Sequence, residues 1–278
     1  MSTGINYLDE VWNPVTGCSG KSCPTKDTCW AKAMVKRFPA IHGTENEWGW
    51  LDPCGIPFEK VQFHPDRLEK PLHWKKPRRI GVCFLGDLFD ERVPFEWVDK
   101  VMKIIAQCKN HSFFVLTKRP ERMGEYFRHL AYMLEIVGDV RLPIPNLWNG
   151  VSITSQADAD RMIPELLRIP GKHWVSVEPM LGPVTLFDVD GSISVEMQAL
   201  NPREINFPSD VTDWVVVGCE SGAKRRPCPH DWMIDVVEQC KEAGVPVWVK
   251  QIEIDGKVCT DITKFPEELQ VRELVTGG

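Results

Sequence analysis

The chain has 278 residues, 43% hydrophobic and 26% charged, the composition of a soluble protein with a full core. No apolar run spans a bilayer, and the start, MSTGINYLDE, lacks the basic-then-apolar order of a signal peptide, so the expected setting is a reducing cytoplasm with no membrane partner. There ten cysteines do not read as a disulfide scaffold, and a net charge of −6 argues against non-specific coating of a nucleic-acid backbone.

In chain order, a first strand is expected near Val11 to Thr16, followed by a loop carrying Cys18, Cys23 and Cys29 and then a helix over WAKAMVKRF. Residues 39–79, rich in Pro, Gly and Trp, read as an irregular insertion. Nearly continuous apolar runs then recur at 80–87, 112–118, 147–153, 173–178, 213–220 and 245–251, as strands buried on both faces require. Between them lie helical patterns. PFEWVDKVMKIIAQCKN opens with Pro94 and puts Val98, Val101, Met102 and Ile105 on one stripe. RPERMGEYFRHLAYML, SQADADRMIPELLRI and PHDWMIDVVEQCKEAG repeat the pattern, the last stopping at Gly244. A second insertion falls at 185–212, with weak alternation at GSISVEMQ, and EIDGKVC reads as a hairpin turning at Asp255-Gly256.

Alternating strands and helices at this spacing make a parallel sheet. The number of strands favours one (β/α) barrel domain over residues 1–278, of TIM or partial-barrel type, over an open doubly wound sheet. No G-x-G-x-x-G follows a strand to support the latter. Eleven tryptophans against three tyrosines point to core or pocket lining. The basic clusters Lys75 to Arg79 and Lys224 to Arg226 are candidate phosphate contacts, with a solvated face the favoured reading for both.

In such a barrel, chemistry gathers at the carboxyl ends of the strands. Those ends carry Asp87; Lys118 and Arg119; Ser152 and Thr154; Glu178; Glu220 and Ser221; and Lys250 and Gln251. Facing one mouth, carboxylates and cations of this kind could hold a zwitterionic or phosphate-bearing ligand. Strand ends are also where solvent begins, so it is the set rather than any single member that points to function.

Cys83, Cys108, Cys219 and Cys240 sit within apolar strands or helix stripes and read as buried, reduced thiols. The opening trio lies instead among Gly17, Gly20, Lys21, Pro24, Lys26 and Asp27, a poor place to bury a small hydrophobe. Zinc wants four ligands, which Cys54 or His42 could complete. An iron–sulfur cluster would need only the three thiolates, with Cys29 near a helix N-terminus whose dipole favours the ionised thiol.

The ordered segments VWNPVTGC, CWAKAMVKRF, GDLFDERVP, FFVLTKRPERM, VSVEPMLGPV, VVVGCESG, HDWM and GVPVWVKQ resemble the phage-encoded three-cysteine-motif proteins. That family is found in bacteriophages and bacteria and is regarded as related to radical SAM enzymes. The likeness runs from about residue 5 to 265. It implies a barrel of the radical SAM type, a [4Fe-4S] cluster on Cys18, Cys23 and Cys29, and S-adenosyl-L-methionine on the open iron. Reductive cleavage of that cofactor would give a radical that abstracts hydrogen. By the same resemblance, Gly218 and Glu220 fall where the cofactor is contacted, Asp87 and Ser152 are candidates for its amino or ribose groups, and Lys250 joins the cofactor side. Lys118, Arg119 and Glu178 would line the substrate side with Thr154, Ser221 and Gln251; Lys118, Glu178 and Glu220 are the catalytic candidates. The chain departs from the pattern in its C-x4-C-x5-C spacing, in Cys219 where glycine is commoner, and in Cys228.

The resulting expectation is a radical-SAM-like iron–sulfur enzyme acting on a nucleotide, nucleic acid or protein, with a companion protein as partner. Two alternatives stand beside it: a zinc-stabilised nucleic-acid-binding phage protein, and a barrel hydrolase using Glu178 and Glu220 as its carboxylate pair.

Overall fold

The computed structural model describes residues 5–21, 23–43, 55–137, 142–186, 212–222 and 224–275. Among these described residues, ten strands are arranged as an eight-stranded sheet and a separate pair. In chain order they are β1 (Glu10–Trp12), β2 (Val15–Thr16), β3 (Gln62–Phe63), β4 (Arg79–Val82), β5 (Ser112–Thr117), β6 (Leu147–Ile153), β7 (Lys172–Val177), β8 (Trp214–Gly218), β9 (Val247–Ile254) and β10 (Lys257–Cys259). The large sheet runs β1-β4-β5-β6-β7-β8-β9-β10, parallel throughout except for the antiparallel β9–β10 hairpin at one edge. It curls into a half-barrel, so the partial form of the expected architecture is the one observed.

The expected first strand divides in two. Glu10–Trp12 joins the large sheet beside β4, and after Pro14 the chain peels away so that Val15–Thr16 pairs with Gln62–Phe63 of the insertion. The expected hairpin is present, with Asp255 and Gly256 both in the left-handed region (φ 49° and 69°). Of the second insertion, residues 187–211, including GSISVEMQ, lie outside the described residues.

Six α-helices are described: α1 (Trp30–Arg37), α2 (Pro65–Leu68), α3 (Phe95–Gln107), α4 (Pro120–Val137), α5 (Gln156–Leu167) and α6 (His230–Ala243). The stripe read from sequence is the buried face of α3, with Ile104 added. The last helix ends at Gly244 (φ 67°), whose following residue, Val245, donates to the Cys240 carbonyl at 2.8 Å. No helix among the described residues is long and apolar enough to cross a membrane.

Alternate strand residues serve two cores, as a period of two requires. Phe113, Val115, Val151, Val175, Val215, Val217 and Val249 pack with the helices. Phe114, Trp148, Trp174, Trp214, Val216 and Trp248 form the other side with Tyr7 and Leu8. Trp174 and Trp214 lie 5.6 Å apart between ring centroids, and Tyr7 meets Trp214 edge-on at 5.4 Å. Trp174 donates to the Val115 carbonyl at 3.0 Å and Trp214 to that of Glu273 at 3.0 Å. Gly150 makes room for this layer: a Cβ there would stand 2.2 Å from the Trp174 indole nitrogen.

The insertion is fastened by a buried polar knot. Thr16 Oγ1 lies 2.7 Å from His42 Nδ1 and 2.8 Å from His64 Nε2, and His42 Nε2 lies 3.1 Å from the Pro57 carbonyl. The carbonyl only accepts, so His42 carries its proton on Nε2 and accepts from Thr16 on Nδ1, leaving His64 Nε2 to donate to the hydroxyl. Burial holds both imidazoles neutral, His64 down to about 4. At the root of the cysteine loop two glycine backbones touch: a Cβ on Gly86 would come within 2.5 Å of the Gly17 carbonyl oxygen. Gly17 itself is left-handed (φ 90°).

Candidate functional site

One cavity of about 1210 Å³ opens at the carboxyl ends of the parallel strands. Tyr7, Phe84 and Leu116 lie deep in it, above the tryptophan layer. The cysteine loop and α1 form one wall, and the first turns of α4 and α5 contribute Glu121, Arg122, Glu125, Asp158 and Arg161. Every site residue expected from sequence lines this cavity except Gly218 and Thr154. Gly218 stands behind it, where an added Cβ would lie 3.6 Å from the Glu178 carboxyl carbon. Thr154 is buried, and its hydroxyl donates to Asp158 at 2.6 Å, which also takes its N–H at 2.9 Å, so it ties down the start of α5.

Three ionic groupings ring the cavity. Arg119 is the hub of the first: its guanidinium donates to Asp87 at 2.8 Å and to Ser19 Oγ at 2.8 Å, and pairs with Asp90 at 3.0 Å. Asp87 also accepts from Thr117 at 2.7 Å. Asp90, fully buried, accepts from the Ser19 N–H at 2.8 Å and the Arg92 N–H at 3.1 Å. Its carboxyl is lowered by those hydrogen bonds against the cost of burial.

In the second grouping Arg226 grips Glu220 with Nη2 at 2.6 Å and Nε at 2.9 Å, while the Arg226 N–H adds 2.9 Å and the Thr28 hydroxyl 2.5 Å. These bonds, Arg226 foremost, pull the Glu220 carboxyl down to about 2. The third lies lower, where Lys250 pairs with Glu178 and Lys118 donates to Ser152 Oγ, with the Ser152 carbonyl 3.3 Å away. Ser152 in turn donates to the Glu178 carbonyl at 3.1 Å.

The cysteines border the same space. Cys18 Sγ lies 3.7 and 3.8 Å from the two terminal nitrogens of Arg119 and accepts from the Gly20 N–H at 3.4 Å. Burial, reinforced by the Asp87 charge and opposed by Arg119, pushes its thiol up to about 12. Cys23 Sγ stands 3.2 Å from Thr25 Oγ1. Cys29 is the residue that precedes α1, as expected, and shares with Cys18 a small apolar cluster around Ala31, Val35 and Phe58. Three thiols around one mouth are the soft donors that an iron–sulfur centre takes, although the guanidinium beside one of them is already paired with Asp87 and Asp90. They are not gathered on one point: among the described residues no three Cys, His, Asp or Glu side chains are placed to hold a metal ion. The donor set suits a cluster in kind, and the sulfurs as placed do not converge on one; the loop from 18 to 29 would have to close to bring them together. His42, a candidate fourth zinc ligand, spends both ring nitrogens on Thr16 and Pro57, and Cys54 lies outside the described residues.

Cys83, Cys108, Cys219 and Cys240 are buried, and Cys228 joins them. The basic clusters are engaged rather than merely solvated. Arg78 and Arg79 pair with Glu10 and Asp9, fastening β4 to β1 and the turn before it, while Arg225 holds Glu253 and Arg226 holds Glu220. Asp90, Ser19 and Thr28 are the site residues that sequence reasoning missed, while Arg226, read from sequence as a candidate phosphate contact or solvated side chain, holds Glu220 instead. Only Asp90 had a signal, lying three residues beyond Asp87 in GDLFDE.

Fold and site together define a class: an α/β half-barrel whose parallel strands end in a charged, cysteine-bordered cavity. The chain belongs to the DUF5131 family, a family of proteins of unknown function, whose model matches residues 2–271. Neither a curated protein nor a solved structure matches the chain.

Proposed function

We propose that this protein is a radical-SAM-like iron–sulfur enzyme, its cluster held by Cys18, Cys23 and Cys29 and its second cofactor S-adenosyl-L-methionine. The observation that carries this reading is that all three thiols border the same cavity that the strand-end cations and carboxylates line. When bound, such a cluster supplies single electrons to the cofactor for hydrogen abstraction. The chain's own contribution is placement and shielding. Arg119 places hydrogen-bond donors against the Cys18 sulfur while its charge is balanced by Asp87 and Asp90. Glu220, fixed as an anion and saturated by Arg226 and Thr28, pins the Arg226 segment and the end of the cysteine loop to the rim of the cavity. Lys118 and the Lys250–Glu178 pair form a lower polar belt that orients a substrate above the apolar floor.

The state of Glu220 also weighs against a carboxylate-pair hydrolase, since a carboxyl held near 2 gives up no proton at neutral pH, and Glu178 is occupied by Lys250. The test is anaerobic reconstitution with iron and sulfide, followed by metal analysis and visible spectroscopy. Stoichiometric iron and sulfide with thiolate-to-iron charge-transfer absorption, lost in Cys18→Ala, Cys23→Ala and Cys29→Ala, is the expected result. Stoichiometric zinc with no iron uptake overturns the reading.

A further inference from the structure

Helix α1 is scarcely packed: of its eight residues only Ala31 and Val35 are buried. Trp30 and Met34, four apart, and Phe38 one turn beyond form a single stripe, and they remain 46%, 38% and 47% exposed. The same helix carries Lys32, Lys36 and Arg37 and no acidic residue. Lys32 is held by Glu59 at 2.5 Å, whereas the Arg37 guanidinium lies 5.1 Å from the centre of the Phe38 ring, leaving cation and aromatic face presented together. Trp30 and Met34 also line the cavity, so the stripe runs into the mouth.

We propose that the outer face of α1 is a docking platform for single-stranded nucleic acid, with bases stacking on Trp30 and Phe38 and phosphates meeting Lys36 and Arg37. Flat aromatic faces interleaved with cations are the chemistry that holds a single strand without reading its sequence. A second copy of the chain is a poorer occupant, because a face-to-face pair would set these cations against each other. An anionic membrane laid across the mouth would also press on the exposed carboxylates of Glu91, Glu121 and Glu125, which line the same cavity. A strand can follow α1 alone. The proposal does not depend on the cysteines binding a cluster.

The experiment is fluorescence anisotropy of a labelled oligothymidylate with the full chain at low ionic strength. Saturable binding that weakens as salt rises is expected, since phosphates meeting Lys36 and Arg37 release their counterions, with low ionic strength needed because few cations take part. Trp30→Ala and Phe38→Ala should each weaken it roughly tenfold, and the double variant Lys36→Glu, Arg37→Glu should lower its salt dependence. All four side chains are exposed, so circular dichroism should show an unchanged fold. Absence of oligonucleotide binding, equal binding by a Trp30→Ala, Phe38→Ala double variant, or binding of phosphatidylserine vesicles or polyglutamate in place of the oligonucleotide would each overturn the proposal.

Discussion

At one end of the concave face, Trp148, Trp174, Trp214 and Trp248 pack with Phe114 and Tyr7; further along the same strands stand Ser152, Glu178 and Lys250. Both sets occupy alternate, same-side positions, so the backbone treats them alike and only the side chains differ. The tryptophan end is closed by edge-on rings and indole hydrogen bonds, and its contribution is burial. The other end keeps its ionic groups apart in pairs around open space, an arrangement that adds little net stability while fixing where charge can be met. Stability and chemistry are thus assigned to successive layers of one sheet, and the two can be perturbed separately.

The largest effect should come from the closed end. Trp214→Ala removes a fully buried ring, and its loss is expected to cost about 3–5 kcal/mol in denaturant unfolding. A cost no larger than that of a substitution at the mouth would erase the distinction between the layers. Next comes Asp90→Ala, which strips Arg119 and the Ser19 N–H of a buried acceptor and is expected to cost about 1.5–3 kcal/mol. Because that bond tethers the cysteine loop, alkylation of Cys18 by iodoacetamide should also quicken; an unchanged rate would show that the loop is held by other means.

The smallest effect at neutral pH should be that of Glu220→Gln, because Arg226 is itself partly exposed. Its signature lies in acid. The folded carboxyl sits at about 2, below an ordinary glutamate at about 4.3, so its contribution is complete above the latter and disappears as pH falls through the former. Thermal unfolding followed downward from pH 5 should decline less steeply in the variant. Parallel curves would place the stabilising role elsewhere.

Hydrophobic period made much of this fold legible. The apolar runs from 112 onward became the central parallel strands, and the stripe of Val98, Val101, Met102 and Ile105 became a buried helix face, because burial is set by local pattern. The tryptophan excess was readable as interior, though not as one layer on one side of the sheet. Much of the site was legible through the rule that strand ends face the mouth. What escaped were partners distant in sequence: Thr28 on Glu220, 192 residues away, and Arg119 across to Cys18 and Ser19. Nothing local distinguishes Thr154, which fastens a helix, from Ser152, which reaches the cavity; only the end of β6 at Ile153 and the onset of α5 decide it.

The contact between Gly17 and Gly86 gives the thiol-bearing segment a fixed point of departure made of main chain alone. With no side chain at that junction, the anchor is indifferent to how many residues follow before α1 begins. An unusual interval between sulfurs can therefore accumulate by insertion or deletion without displacing the hinge, whereas even one methyl group at Gly86 would shift the whole segment off its mooring.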